Sequence, residues 1–239
     1  TATLTITIDG VTDGEPAITP VDGNNPDNPA ELITIGHTTV HERGLTGEDS
    51  SHINTGSITI STPDGLDSIS VGGTPIDLET LLGLNPADPT THITISTEYG
   101  TLIITGFDSS TDVGGVPTLG ELRYQYTLDE AIDNSSPDNR ENQLDKVPLV
   151  VTDKGGDEAD GTLIINIIDD VPEARNDTNA VDEDSGVPTT GNVLGGSGVA
   201  TTDVADRFGA DTDARVTAIT SNNVTGNASS NAGGGLVIE

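Results

Sequence analysis

Ile164-Ile165-Asn166-Ile167-Ile168-Asp169-Asp170-Val171-Pro172-Glu173-Ala174-Arg175-Asn176-Asp177 runs from a strongly apolar stretch straight into a cluster of acid. The isoleucines have the β-branched character that fits a pleated, buried strand. The two adjacent carboxylates stop that strand. Pro172 holds the backbone before it extended and stiffens the way out. The chain begins with a close copy: Thr3, Leu4, Ile6 and Ile8 match Thr162, Leu163, Ile165 and Ile167 at one constant offset. After one inserted Ile, Asp9 and Val11 match Asp169 and Val171. A strand with an acidic exit therefore recurs once per large unit, the mark of a tandem array.

Between the copies, short strand signals alternate with turns. The expected strands are 31–35, 57–61, 68–71, 92–97, 101–105, 121–128, 147–152 and 162–168. Ile58-Thr59-Ile60 and Leu122-Arg123-Tyr124-Gln125-Tyr126 alternate apolar with polar at period two. Pro63-Asp64-Gly65, Gly72-Gly73, Tyr99-Gly100, Asp108-Ser109-Ser110 and Lys154-Gly155-Gly156 supply turn chemistry. One short helix is expected over 76–82, after Pro75 and with Gly83 as its stop. Many short strands with Gly- and Asp-rich turns predict an all-β fold, an antiparallel sandwich. The expected organisation is 1–12, the last strand and exit of a preceding repeat; 13–171, a large sandwich; and 172–239, the start of a second, incomplete one. Strands at 215–220 and 236–239 belong to the last.

Composition narrows the partners. The 239 residues carry 40 Asp and Glu against 8 Lys and Arg, a net charge of −32. Nucleic acid and anionic membrane would be repelled, whereas cations are the natural counterpart. Apolar residues are 32% of the chain and gather into Ile/Leu/Val/Thr runs, so a folded chain is expected despite 29 Gly and 13 Pro. Cysteine is absent, which removes disulfides and thiolate metal sites. Bound metal is then the usual staple for such a domain. No apolar run is long enough for a membrane helix, no signal peptide opens the chain, and the sequence reads as an excerpt of a longer protein.

Gly100–Asp108, Arg123-Tyr124-Gln125-Tyr126-Thr127-Leu128, Val150–Asp157 and Gly161–Val171, in that order, resemble the type I secretion-linked repeat domain of giant RTX adhesins. These are the LapA-like and BapA-like biofilm proteins of Gram-negative bacteria. Asn176-Asp177, Val181-Asp182-Glu183-Asp184-Ser185-Gly186 and 203–219 resemble the start of a VCBS or cadherin-like repeat of the same proteins. The resemblance implies tandem Ig-like sandwiches, calcium at domain junctions, secretion to the cell surface and a role as a monomeric extender. Segments 17–29 and 111–119 match nothing in it.

Calcium takes six to eight oxygens, many from carboxylates and backbone carbonyls. The candidate junction ligands are Asp169, Asp170, Asn176, Asp177, Asp182, Glu183 and Asp184, drawn from both sides of the boundary. Adjacent strand positions face opposite ways, so Asp169 and Asp170 are expected to serve different roles or ions. Asp9 and Asp13, with Glu15, would mirror this toward a preceding domain. Asp153 and Asp157 form either an ion-binding loop or a plain hairpin turn, and the loop lacks the ligand spacing of an EF-hand. Asp203, with Asp206, Asp211 and Asp213, marks a further loop. Acid-rich turns also serve simply to keep a surface soluble.

His37 and His41 are four apart, but Thr38-Thr39-Val40 between them reads as strand, where that spacing is about 13 Å. They are expected to be exposed loop and strand histidines. The stretch 40–45 reads as a strand running into a turn, with Glu42 a further possible ligand. No nucleophile elbow, P-loop or dinucleotide fingerprint is present, and no enzymatic activity is expected. The alternative function is a glycan- or peptide-binding module whose loops are 17–29 and 111–119.

Overall fold

The computed structural model describes residues 14–23, 36–47, 49–113, 115–132, 143–170, 173–175, 205–210, 228–230 and 236–238. The chain divides into two units, Thr1–Asp169 and Asp170–Glu239.

Among the described residues of the first unit the strands are β1 (Ala17–Pro20), β2 (Thr38–His41), β3 (Ile53–Ser61), β4 (Leu66–Val71), β5 (Thr74–Asp77), β6 (Ile93–Ser96), β7 (Gly100–Val113), β8 (Val116–Leu128), β9 (Gln143–Asp153) and β10 (Glu158–Ile168). They form two five-stranded sheets, ordered β1-β3-β8-β7-β6 and β2-β10-β9-β4-β5. Alternation explains how the two sheets share a core. Leu122, Tyr124, Tyr126 and Leu128 are the buried row of β8, and Val147, Leu149 and Val151 that of β9. With Ile58, Ile60, Leu102, Ile104, Leu163 and Ile165 they make one apolar cluster. Each such side chain contributes about 1.5–3 kcal/mol when fully buried. The all-β expectation holds at this level.

Four details depart from the sequence reading. The sandwich is not wholly antiparallel, because β2 pairs parallel with β10, Thr38 opposite Ile165 and His41 opposite Ile168. The first edge is split: β1 pairs antiparallel with β3 in one sheet, and β2 then joins the other. Residue pattern specifies a strand but not the direction of its neighbour. Secondly, Asp108-Ser109-Ser110 is not a turn. β7 continues through it to Val113, opposite Glu121, Gly120 and Leu119, with shifts of register. Asp108 also ion-pairs with Arg123 across the ribbon. A hairpin arm wet on both faces can be as polar as a turn. Thirdly, the helix α1 spans Leu78–Gly83 and starts later than expected. Pro75 and Ile76 are held in β5 opposite Ser70 and Ile69. The Asp77 carboxylate then caps the helix by accepting from the Thr80 N–H at 2.7 Å. Finally, β1 lies in a segment the sequence reading left unassigned. The expected strands at 31–35 and 215–220 fall outside the described residues.

The sandwich has a direction. β1 begins level with Ser61, where β3 ends, and β10 finishes at the other end, level with Gln143 and His41. We refer to these as the leading and trailing ends. The 11 residues of β10 separate them by roughly 35 Å.

In the second unit, Glu173 and Arg207 form an antiparallel bridge with N–H···O distances of 2.9 and 3.0 Å. β11 (Ala228–Ser230) pairs antiparallel with β12 (Leu236–Ile238).

Candidate metal centres

The trailing end is organised by the parallel strand. Because His41 stands opposite Ile168, the next residues, Glu42 and Asp169, emerge side by side. A 3-10 turn over Glu42–Thr46 starts there. Glu42 is fully buried, and its Oε1 accepts the N–H of Ile132 at 2.8 Å. A carboxylate oxygen of Glu42 and one of Asp169 lie within 4.8 Å of each other. Asp169 is half-buried, and its Oδ1 has no hydrogen-bond partner. Glu42, noted in the sequence as a further ligand, is thus brought to Asp169. Asp170 opens the second unit, where its carboxylate accepts the N–H of Ala210.

At the leading end two turns meet. Thr62-Pro63-Asp64-Gly65 is a tight turn, with the Gly65 N–H on the Thr62 carbonyl at 2.8 Å and Gly65 at φ +92°. It carries the chain from β3 in one sheet to β4 in the other. The β9–β10 hairpin docks on it through the Lys154 N–H to the Gly65 carbonyl, 2.8 Å. Asp153 closes that hairpin: its Oδ1 accepts the Asp157 N–H at 2.9 Å, and its own N–H meets the Asp157 carbonyl at 3.0 Å. Asp64, Asp153 and Asp157 each place a carboxylate oxygen within 4.8 Å of the others. Two like charges about 5 Å apart repel by roughly 3 kcal/mol at an effective dielectric of about 20. The hairpin's own ammonium, on Lys154, pairs with Asp67.

Asp153 and Asp157 therefore form the hairpin turn that one reading expected, and they also face a third carboxylate. That third residue, Asp64, was read only as turn chemistry. Its signal in the sequence was an acid inside a Pro-x-Gly turn, which does not say what the turn will meet. Asp9, Asp13, Asn176, Asp177, Asp182, Glu183, Asp184 and Asp203 lie outside the described residues. Asp206 accepts the N–H of Arg175 at 2.7 Å.

The histidines serve the fold. His37 extends the β2–β10 ladder: its N–H donates to the Ile164 carbonyl at 2.8 Å, and its Nδ1 accepts the Ile164 N–H at 3.0 Å. His41 is buried, against the expectation of exposure, as are the other three residues of β2 beside β10. Among the described residues, no helix is long and apolar enough to cross a membrane. No family model matches the chain, and no curated protein matches it.

Proposed function

We propose that the chain is a stretch of calcium-stiffened extender from a large bacterial cell-surface adhesin, secreted from a Gram-negative cell and built of Ig-like repeats in tandem. The observation that carries this reading is directional. The first unit takes the chain in at one end of the sandwich and releases it at the other, with carboxylates gathered at both ends. Copies joined in this way run end to end and bring acid against acid at each boundary. Left alone, those boundaries repel and flex; bridged by Ca²⁺, they stiffen. Extracellular modules of this sort need only weak affinity, on the order of 10⁻⁴–10⁻³ M.

Strand order supports the Ig-like part of the reading. The run β1-β3-β8-β7 follows the A-B-E-D sheet of that fold, and β10-β9-β4 follows G-F-C. The role is mechanical and involves no reaction. The other reading, a glycan- or peptide-binding module, has less behind it. Its candidate loops are partly taken up by β1 and by the paired β7–β8 hairpin. Two of the three tyrosines, the candidate platforms for a sugar, are buried in the core.

Small-angle scattering of the 239-residue chain in millimolar calcium and in chelator tests the proposal. A longer, stiffer particle with calcium is expected, together with a higher melting temperature. Identical profiles and melting temperatures in the two conditions would overturn it. Specific retention of a glycan by the isolated chain would favour the binding module.

A further inference from the structure

The inward row of β9 begins and ends in acid. Asp145, Val147, Leu149, Val151 and Asp153 all face the core, with Asp145 at 1% and Asp153 at 2% exposure. The two carboxylates are treated differently. Asp145 Oδ2 accepts the Tyr126 hydroxyl at 2.8 Å and the Tyr99 N–H at 3.3 Å. Asp153 receives only the Asp157 N–H on Oδ1, and its Oδ2 is buried with no hydrogen-bond partner. A buried, unmatched carboxylate oxygen is costly unless something positive meets it. Its neighbours here are two more carboxylates, Asp64 and Asp157. The ammonium closest in sequence, Lys154, is engaged by Asp67.

We propose that Asp64, Asp153 and Asp157 form a divalent-cation site that staples the β3–β4 turn to the β9–β10 hairpin. The donor set is all oxygen, which selects a hard ion. Three carboxylates offer up to six oxygens, and calcium accepts that number in irregular geometry, whereas magnesium demands a near-ideal octahedron and holds its waters. Asp64 belongs to the crossover between the sheets and the other two to a hairpin of the second sheet, so the ion ties the two layers together at the leading end. This chain has no cysteine to do so covalently. The site lies roughly 35 Å from Asp169 along β10. It stands whether or not the chain is an adhesin extender.

Calorimetric titration of the full chain with CaCl₂, and with MgCl₂ for comparison, tests this in about 0.2 M NaCl, where diffuse attraction to the acidic surface is screened. The variants are Asp64→Asn and Asp153→Asn, with Asp160→Asn on the same hairpin as a charge-matched control. Wild type and Asp160→Asn are expected to bind the same number of calcium ions. Asp64→Asn and Asp153→Asn are expected to lose one ion, or to bind it at least about tenfold more weakly. Their melting temperatures should rise less on adding calcium. Asp64→Asn keeps the test valid if Asp153→Asn does not fold, because Asp64 is only half-buried. Unchanged stoichiometry and affinity in Asp64→Asn would overturn the site, as would an ion lost in Asp169→Asn alone. If the site survives but scattering is insensitive to calcium, the extender proposal fails and this one stands.

Discussion

The hydroxyl of Tyr126, on β8 of one sheet, donates to Oδ2 of Asp145, on β9 of the other, across 2.8 Å. Two positions earlier on β8, the Tyr124 hydroxyl meets Thr38 Oγ1 of β2 at 2.5 Å. The two bonds cross the core and set how the sheets lie on one another. A purely apolar interface would leave that less defined.

Tyr126→Phe should therefore leave Asp145 with one backbone donor and a buried charge short of a partner. Such a loss costs about 1–3 kcal/mol, or roughly 2–12 °C in melting temperature for a domain of this size. Thermal unfolding followed by circular dichroism measures it, and an unchanged melting temperature would remove Tyr126 from the list of structural anchors.

The same pair of phenols predicts an alkaline transition. Burial pushes the Tyr124 hydroxyl up from its ordinary 10.0 to about 12, with the Thr38 bond pulling the other way. Tyr126 is raised too, by burial first and then by its bond to Asp145. A folded pKa above the unfolded one adds stability that is whole below pH 10.0 and drains away as pH climbs toward about 12. Phenolate absorbance should consequently appear together with unfolding. Smooth titration of all three tyrosines near pH 10.0 in a folded chain would contradict this.

Gly56 lies under the Tyr124 ring, where an added Cβ would overlap the phenol. Gly56→Ala should displace the ring, break the bond to Thr38 and destabilise by about 1–3 kcal/mol, the usual cost of overpacking. Gly83, at the end of α1, has open space where a Cβ would go. Gly83→Ala is expected to stay within about 0.5 kcal/mol of wild type. Urea titration of the two variants side by side separates crowding from a general glycine effect.

At low pH the helix cap at Asp77 and the Asp49–Ser51 turn should fail. Hydrogen bonding from Thr80 holds the Asp77 carboxyl below its ordinary 3.8, and the Ser51 bonds do the same for Asp49. Depressed folded values mean stability that is present above the unfolded pKa and lost as pH falls through the folded one. Asp77→Ala should lower the melting temperature at pH 7 and flatten its fall with acid below pH 4. An identical acid profile in the variant would show that the cap carries none of that dependence.

Most strands were legible because alternation is a property of neighbouring residues. Leu122, Tyr124, Tyr126 and Leu128 declare β8 without reference to anything else. The acids at Asp169 and in the Asp153–Asp157 loop were legible for the same reason, being local excess charge at strand ends. Asp64 was not. Its importance comes from a hairpin about 90 residues further along the chain, and that meeting is made by folding.

By itself the sequence determined that this chain would be β-rich, strongly acidic and free of disulfides, since each follows from composition and short-range periodicity. Only the tertiary structure decided that β2 runs parallel to β10, that Glu42 comes to Asp169, and that three aspartates from two turns share one small volume. Pairing direction and the convergence of distant loops depend on how the sheets close over their core, and no window of residues encodes that closure.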